Sequence, residues 1–162
     1  MNYIGIDPGL SQQSPGGMAF LPAGDLGGAQ VVSLQDLTPY DIRDQLCDWY
    51  TVGPCVVLLE KQQAYPKQGL VSTAKLMAHY GELRGLVVAF QRIYTIAFVV
   101  ISPKQWQKKM LVSIDGPDTK TRSRMAAQRL FSHLDFRRKT KDHGKSDALL
   151  IALWGKQYGG YE

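Results

Sequence analysis

The feature that most constrains the fold of this chain is a run of consecutive apolar residues, Cys55–Leu59, near the middle of the sequence. The run is of strand length, and it lacks the alternation expected of a strand with one face in water. It is typical of a parallel strand that is covered by helices on both faces. Ala97–Ile101 is a second segment of this kind. The chain is therefore predicted to be an α/β protein.

The segments around these two strands complete a predicted order of elements. Asn2–Asp7 alternates and is followed by Pro8-Gly9, which we expect to end the strand as a turn. Gly16–Leu21 and Gln30–Leu34 extend it into a three-stranded meander. Helices are predicted to begin at Thr38-Pro39 and to span Ser72–Gln91, Pro103–Met110, Thr119–Phe131 and Ser146–Tyr158. The order β-β-β-α-β-α-β-α-α predicts a mixed five-stranded sheet, with antiparallel hairpin strands, parallel strands and flanking helices.

Length and composition favour one globular domain covering residues 1–162, because 44% of the residues are apolar and 20% are charged. The longest apolar run, Ile96–Ile101, is too short to span a bilayer. No targeting signal is visible after Met1, so we expect a cytoplasmic protein that does not bind membranes. Cys47 and Cys55 are expected to be buried, reduced thiols, although one short disulfide is conceivable.

The positive charge of the chain is concentrated in its last third. Residues 1–100 hold 6 basic and 8 acidic side chains, whereas residues 101–162 hold 13 basic and 6 acidic ones. A patch of this kind attracts polyanions such as nucleic acid, although it can also be a solvated face. The candidate phosphate-binding residues are Lys104, Lys108, Lys109, Lys120, Arg122, Arg124, Arg137, Arg138, Lys139 and Lys141.

Three carboxylates are placed where a common site can form. Asp7 ends the first strand and Glu60 ends the buried run, and α/β sheets usually place their sites at the carboxyl ends of strands. Asp147 lies on the same helical stripe as Leu150 and Ile151, so it is predicted to face the sheet. Each residue alone has a simpler explanation: a turn aspartate, a strand end that emerges into water, or a helix N-cap. Together they favour one acidic cluster.

His143 lies four residues before Asp147 and stacks on the same helix face if the helix extends that far; otherwise it is a surface residue in a basic loop. Carboxylate oxygens suit Mg²⁺ or Mn²⁺, and two such ions can activate a water and stabilise the leaving oxygen of a phosphodiester. His143 could bind the second ion or transfer protons. Phosphate-loop, paired-cysteine zinc and nucleophile-elbow motifs are absent from the sequence, which argues against those chemistries.

Four motifs occur in order along almost the whole chain: Ile4–Gly9 (IGIDPG) with Gly16–Phe20 (GGMAF), Leu58–Lys61 (LLEK), and Lys141–Ala152 (KDHGKSDALLIA). They resemble the motifs of RuvC-type Holliday-junction resolvases of the RNase H-like superfamily. Further positions resemble the phage and plant-organelle branch of that family: Pro66, Gln68, Gly69, Ser72, Lys75, Tyr80, Gly81, Leu83, Arg84, Gly85, Pro103, Trp106, Lys108, Lys120 and Ser123.

The resemblance implies an RNase H-like fold, a homodimer, and Mg²⁺-dependent nicking of two symmetric strands of a four-way DNA junction, with Mn²⁺ able to substitute. The products would carry 5′-phosphate and 3′-hydroxyl ends. By motif position, Asp7, Glu60 and Asp147 would be metal-binding carboxylates, and His143 would complete the metal-binding and catalytic set.

Two departures from the family pattern stand out. Ser11–Pro15 resembles an insertion in the first hairpin. Gln107 follows Trp106 where many relatives have lysine, so the basic role is expected to pass to Lys108 or Lys104.

Several alternatives stay open at the level of sequence. Tyr65 and Lys67 follow Glu60 and are candidate DNA contacts; Tyr65 either stacks against unpaired bases at the crossover or packs beside Pro66. The helix Ser72–Gln91 supplies either the dimer interface or part of the core. The activity could also be that of another RNase H-like nuclease acting on RNA–DNA hybrids or flaps, or the chain could be a non-catalytic junction-binding module. The complete acidic set argues against the last alternative.

Overall fold

The five predicted strands form one mixed sheet in the computed structural model, which describes residues 1–11, 14–63, 69–136 and 142–160. They are β1 (Asn2–Ser11), β2 (Ser14–Leu21), β3 (Gln30–Ser33), β4 (Cys55–Glu60) and β5 (Ala97–Ile101). Their order across the sheet is β3-β2-β1-β4-β5. The β1–β2 and β2–β3 pairs are antiparallel, whereas β1–β4 and β4–β5 are parallel. The predicted fold class and the opening meander are confirmed.

Five α-helices flank the sheet in the described part of the chain: α1 (Pro39–Thr51), α2 (Leu70–Tyr94), α3 (Pro103–Met110), α4 (Thr119–Leu130) and α5 (His143–Tyr158). A short 3-10 helix at Leu26–Gly28 precedes β3. The start of α1 shows how the sequence sets a boundary, because Thr38 and Asp41 satisfy each other's backbone N–H groups and Pro39 needs no partner there. Among the described helices, none combines the length and apolar character that a membrane span requires.

The prediction that β1 ends at Pro8-Gly9 is wrong. The strand continues to Ser11, and its pairing with β2 shifts between Asp7, which pairs with Gly17, and Leu10, which pairs with Pro15. The irregularity accommodates Pro8, which has no N–H group for the sheet ladder. The hairpin therefore extends beyond Asp7. The predicted starts of α2 and α5 were also too late, since these helices begin at Leu70 and His143.

Side-chain alternation gives the sheet two different faces. On the first, which we call the α2 face, Ile4 and Ile6 join a buried cluster with residues of α1 and α2. On the second, the α5 face, Tyr3 and Leu58 join a buried cluster with residues of α3, α4 and α5. Asp7 follows Tyr3 and Gly5 in the alternation of β1, and Glu60 follows Leu58 in the alternation of β4. Both carboxylates therefore belong to the α5 face. This agrees with the face predicted for Asp7.

Helix α5 packs unusually close to β1 and β2 along a line of glycines. A side chain at Gly5 would collide with the Ala148 carbonyl oxygen, and its Cβ would lie 2.7 Å from the Ala152 nitrogen. A Cβ at Gly17 would lie 2.5 Å from the Lys145 nitrogen, and Gly144 forms a parallel bridge with Gly16. We call Gly5, Gly16, Gly17 and Gly144 the glycine seam. It allows the first turns of α5 to lie directly on the strand ends.

Candidate functional site

Three carboxylates meet at the carboxyl end of β1 and β4 on the α5 face. Ile6 pairs with Leu59 in the parallel β1–β4 ladder, so Asp7 and Glu60 leave the sheet side by side. Both are buried, with 9% and 7% of their surface exposed, and Asp147 in the second turn of α5 is half-buried. The structure thus brings together the three residues that the sequence pattern selected.

Burial raises the pKa of all three carboxylates. Burial is the main cause that raises the pKa of Asp7 well above its usual range, and the charges of Glu60 and Asp147 add to it. Burial, with a further contribution from Glu60, raises the pKa of Asp147 to about 7. Lys120 opposes both shifts. Neighbouring carboxylates in such an environment retain a proton or bind a cation, because they cannot all ionise without compensation.

Glu60 is held by two side-chain hydrogen bonds, neither of which is predictable from the sequence pattern. The indole nitrogen of Trp106 donates to Oε1 at 2.7 Å, and the Gln62 amide donates to Oε2 at 3.2 Å. Burial raises the pKa of Glu60, whereas these two bonds and one with Asp7 lower it. Trp106 had been singled out only for its resemblance to a family position. Nothing in its spacing from Glu60 signals a contact, because the two residues are 46 positions apart.

His143 is the first residue of α5, so the helix does extend as far as the predicted stacking requires. Its Nδ1 is buried and has no hydrogen-bond partner in the described part of the chain. Burial lowers the pKa of His143, and Lys120 and Arg124 lower it further, while Asp118 and Asp142 oppose the shift. This shift favours the neutral imidazole. The charges that act on His143 belong to α4 and to the residues that precede α4 and α5, so its place in the metal-binding set stays a prediction.

The site offers oxygen ligands for a divalent cation, although no group of three or more His, Cys, Asp or Glu side chains within the described residues forms a ready-made metal site. Asp147 Oδ1 is buried without a hydrogen-bond partner among those residues. A buried carboxylate oxygen in this state is costly unless a cation or proton compensates it. Asp7, Glu60 and Asp147 are thus the residues that could hold Mg²⁺, since carboxylates are the ligands that this ion prefers.

The predicted basic residues on α3 and α4 have different environments. Lys104 and Lys108 line a cleft of about 420 Å³ that continues to Thr119 and Arg122 at the start of α4. Lys109 instead lies over the Tyr158 ring, 5.5 Å from its centroid. The charge of Lys120 lowers the pKa values of Asp7, His143 and Asp147. Among these residues, Lys120 is the one whose charge acts on the acidic site.

Arg122 has a structural role in addition to any DNA contact. Its Nε donates to the Ile114 carbonyl at 2.8 Å, and its Nη2 donates to the Leu111 carbonyl at 2.6 Å. These bonds tie α4 to the segment that follows α3.

Several predicted contacts lie outside the described residues and stay predictions: Tyr65, Lys67, Arg137, Arg138, Lys139 and Lys141. The proposed insertion Ser11–Pro15 is described only in part. Cys47 and Cys55 are free thiols and form no disulfide with each other, but only Cys55 is buried, so the expectation of two buried thiols is wrong for the half-buried Cys47.

Comparison with known proteins supports the fold. No protein-family model and no curated protein sequence matches the chain. Among solved structures, RuvC of T. thermophilus in complex with a Holliday junction substrate matches with a TM-score of 0.66 and 18% identity, over 98% of this chain and 94% of RuvC. A second structure of Thermus thermophilus RuvC matches with a TM-score of 0.62 and 19% identity, over 94% and 92% of the two chains. The chain therefore has the RNase H-like fold of RuvC.

Proposed function

We propose that this protein is a Mg²⁺-dependent endonuclease that recognises four-way DNA junctions and resolves them by paired symmetric nicks as a homodimer. The observation that carries the proposal is the convergence of Asp7, Glu60 and Asp147 from three separate elements on one end of the α5 face, where burial raises the pKa of all three and the neighbouring carboxylates raise those of Asp7 and Asp147 further. A protein that only binds DNA would gain nothing from carboxylates placed to face phosphate groups.

The residues of the site have separable roles in phosphodiester hydrolysis. Asp7, Glu60 and Asp147 would hold Mg²⁺, for which Mn²⁺ could substitute. When bound, the metal supplies an activated water and stabilises the charge that develops on the leaving oxygen. Neutral His143 is suited to complete the ligand set or to accept a proton at its buried Nδ1. The charge of Lys120 beside the carboxylates would attract the phosphate to be cleaved.

Two observations favour a branched DNA substrate. The structural neighbour RuvC is seen in complex with a Holliday junction, and this chain aligns with it over 98% of its length. The cleft between α3 and α4 is lined by Lys104, Lys108 and Arg122, which supply positive charge for phosphate contacts.

The homodimer is proposed because a junction presents two equivalent strands for cleavage. Helix α2 exposes five large apolar side chains, and the most exposed are Leu70, Val71 and Ile93, with 86%, 68% and 71% of their surface accessible. Leu83, Val87 and Phe90 on the same helix are buried against the α2 face, so α2 is also a core helix.

The experiment compares labelled four-way junctions, RNA–DNA hybrids, flaps and linear duplex DNA in the presence of Mg²⁺, with nick positions mapped on each strand. We expect paired nicks at symmetric positions of the junction, with 5′-phosphate ends, and much slower cleavage of the other substrates. Preferred cleavage of the hybrid would instead identify a different nuclease of this fold. Junction binding without cleavage in Mg²⁺ or Mn²⁺ would show a non-catalytic module.

A further inference from the structure

We propose that Trp106 is a positioning residue for this nuclease, whose indole N–H fixes Oε1 of Glu60 and thereby sets the orientation of the carboxylate toward Asp7 and Asp147. The inference rests on the proposed function, because it assigns a role in assembling the same site. It concerns the shape of the ligand set and not contact with the substrate.

The contact is short and fully enclosed. Trp106 has no exposed surface, Glu60 is 7% exposed, and the Nε1–Oε1 distance is 2.7 Å. An indole N–H can only donate, so the bond requires an acceptor oxygen at this position. Hydrogen bonds to ionised groups are among the strongest in proteins, and low local polarity strengthens them further. Rotation of the Glu60 carboxylate would leave the N–H without its acceptor in a buried position.

The local sequence explains why Trp106 reaches Glu60. Glu60 pairs with Ile101 at the end of the β4–β5 ladder, and Ser102 begins α3 immediately afterwards. The Gln105 side chain accepts from the Ser102 N–H at 2.9 Å, which fixes the first turn of the helix. Trp106 is then the fourth residue of α3 and points inward beneath the end of β4. The strand that carries Glu60 and the helix that carries its donor are thus joined through β5.

Gln62 is a weaker second support. Its bond to Oε2 is longer, at 3.2 Å, and lies in a partly exposed environment. Water can replace a partly exposed donor, whereas the loss of a fully buried donor leaves its acceptor unsatisfied. We therefore assign the principal positioning role to Trp106.

The chain contains a matched control on the opposite face of the sheet. Trp49 is also buried, with 2% of its surface exposed, and its indole nitrogen donates to the Gln30 side chain at 2.9 Å. Trp49→Phe and Trp106→Phe therefore remove the same chemical group from two buried sites. Only the second removes it from a carboxylate of the proposed metal site.

The test measures thermal unfolding, Mn²⁺ affinity without DNA, and kcat and KM for a four-way junction in the wild type and both variants. We expect Trp106→Phe to weaken Mn²⁺ binding and lower kcat by about 10- to 100-fold, as is usual for groups that orient metal ligands. The KM for the junction should stay within about threefold, because Trp106 does not contact DNA in this proposal. Trp49→Phe should leave all three functional quantities unchanged.

Equal effects of the two variants on Mn²⁺ affinity and kcat would overturn the proposal, since Trp106 would then be an ordinary core residue. If the wild type cleaves no junction, the proposed function fails, yet the Mn²⁺ affinities still decide the role of Trp106.

If Trp106→Phe does not fold, the indole N–H resonances of the wild-type protein, measured by NMR, provide a second test. Addition of Mg²⁺ should shift the indole N–H resonance of Trp106 and not that of Trp49, and Glu60→Gln should abolish the shift. An unshifted Trp106 resonance would contradict the proposal.

Discussion

The two faces of the sheet are made by the same strands but satisfy different requirements. On the α2 face, large side chains keep the helices apart from the strands, as in the stacked pair of Phe20 and Trp49 at 5.8 Å between ring centroids. On the α5 face, glycines let a helix backbone approach the strand backbone directly. Bulky side chains maximise buried apolar surface, whereas glycines sacrifice it for proximity. The comparison shows that the α5 face gives up apolar packing where the carboxylates must meet.

The largest expected effect separates chemistry from folding. Asp7→Asn should reduce junction cleavage by about a thousandfold or more, because it removes a charged ligand while keeping the size of the side chain. Gel assays of cleavage and binding test this, with Asp36→Asn in the exposed loop after β3 as the control. Both variants should bind the junction. Undiminished cleavage by Asp7→Asn would remove that residue from the site.

The glycine seam provides the second test. Gly5→Ala adds one methyl group that would collide with the Ala148 backbone, so α5 must move away from β1. We expect the free energy of unfolding to fall by about 3 kcal/mol and cleavage per folded molecule to fall with it. Ile4→Val, one residue earlier and on the α2 face, should cost about 1 kcal/mol and leave cleavage intact. Urea denaturation measures the stability of both variants, and a cleavage assay measures their activity. A Gly5→Ala variant as stable as the wild type would refute the close-packing interpretation.

The pH dependence of stability should have opposite signs for Asp147 on the α5 face and for Asp41 at the start of α1. Folding raises the pKa of Asp147 to about 7 from 3.8, so in EDTA the wild type loses stability as the pH rises between these values. Asp147→Asn removes this loss and should exceed the wild type by roughly 2 kcal/mol at pH 8, but not near pH 4. Mg²⁺ should reduce the difference by stabilising the wild type.

Asp41 at the start of α1 is the control with opposite sign. Its bonds with Thr38 lower its pKa, so its contribution is present above its unfolded pKa and is lost as the pH falls through its folded pKa. Urea unfolding at pH 4, 5 and 8 tests Asp147, and urea unfolding below pH 4 tests Asp41. The Asp147 hypothesis fails if the variant and the wild type differ by the same amount at all three values.

The smallest expected effect concerns DNA binding. Lys120→Ala should lower the dependence of log affinity on log salt concentration by about one unit of charge and weaken junction binding severalfold at low salt. Arg92→Ala is the matched control, because Arg92 is exposed in the last turn of α2, at the far end of the sheet. Fluorescence anisotropy over a salt series measures both. An unchanged slope for Lys120→Ala would exclude that side chain from the phosphate contacts.

Strand periodicity was sufficient to predict much of the site. The alternation around Ile4 and Ile6 assigned Asp7 to the correct face, and the apolar run identified the strand that carries Glu60. The helical stripe likewise turned Asp147 toward the sheet. These predictions depend only on local geometry, in which each side chain has a fixed direction relative to its neighbours. The roles of these residues in metal binding and catalysis stay predictions.

Contacts between distant segments were not predictable in the same way. The continuation of β1 past Pro8 depends on its pairing with β2, and the need for glycine at position 5 depends on the path of α5. The bond between Trp106 and Glu60 likewise depends on how α3 leaves β5. Such features arise when two elements approach each other, and neither element alone carries the signal.

The glycine seam also determines when a site can exist. Asp7 lies in the first strand and Asp147 in the last helix that the structure describes, and they meet only after α5 has docked on β1. Such a contact closes a loop that contains most of the chain, which carries a large entropic cost. In the proposed nuclease, a partly synthesised or partly folded chain would hold Asp7 and Glu60 without their third partner. Completion of the tertiary structure would itself be the safeguard that keeps immature molecules from nicking DNA.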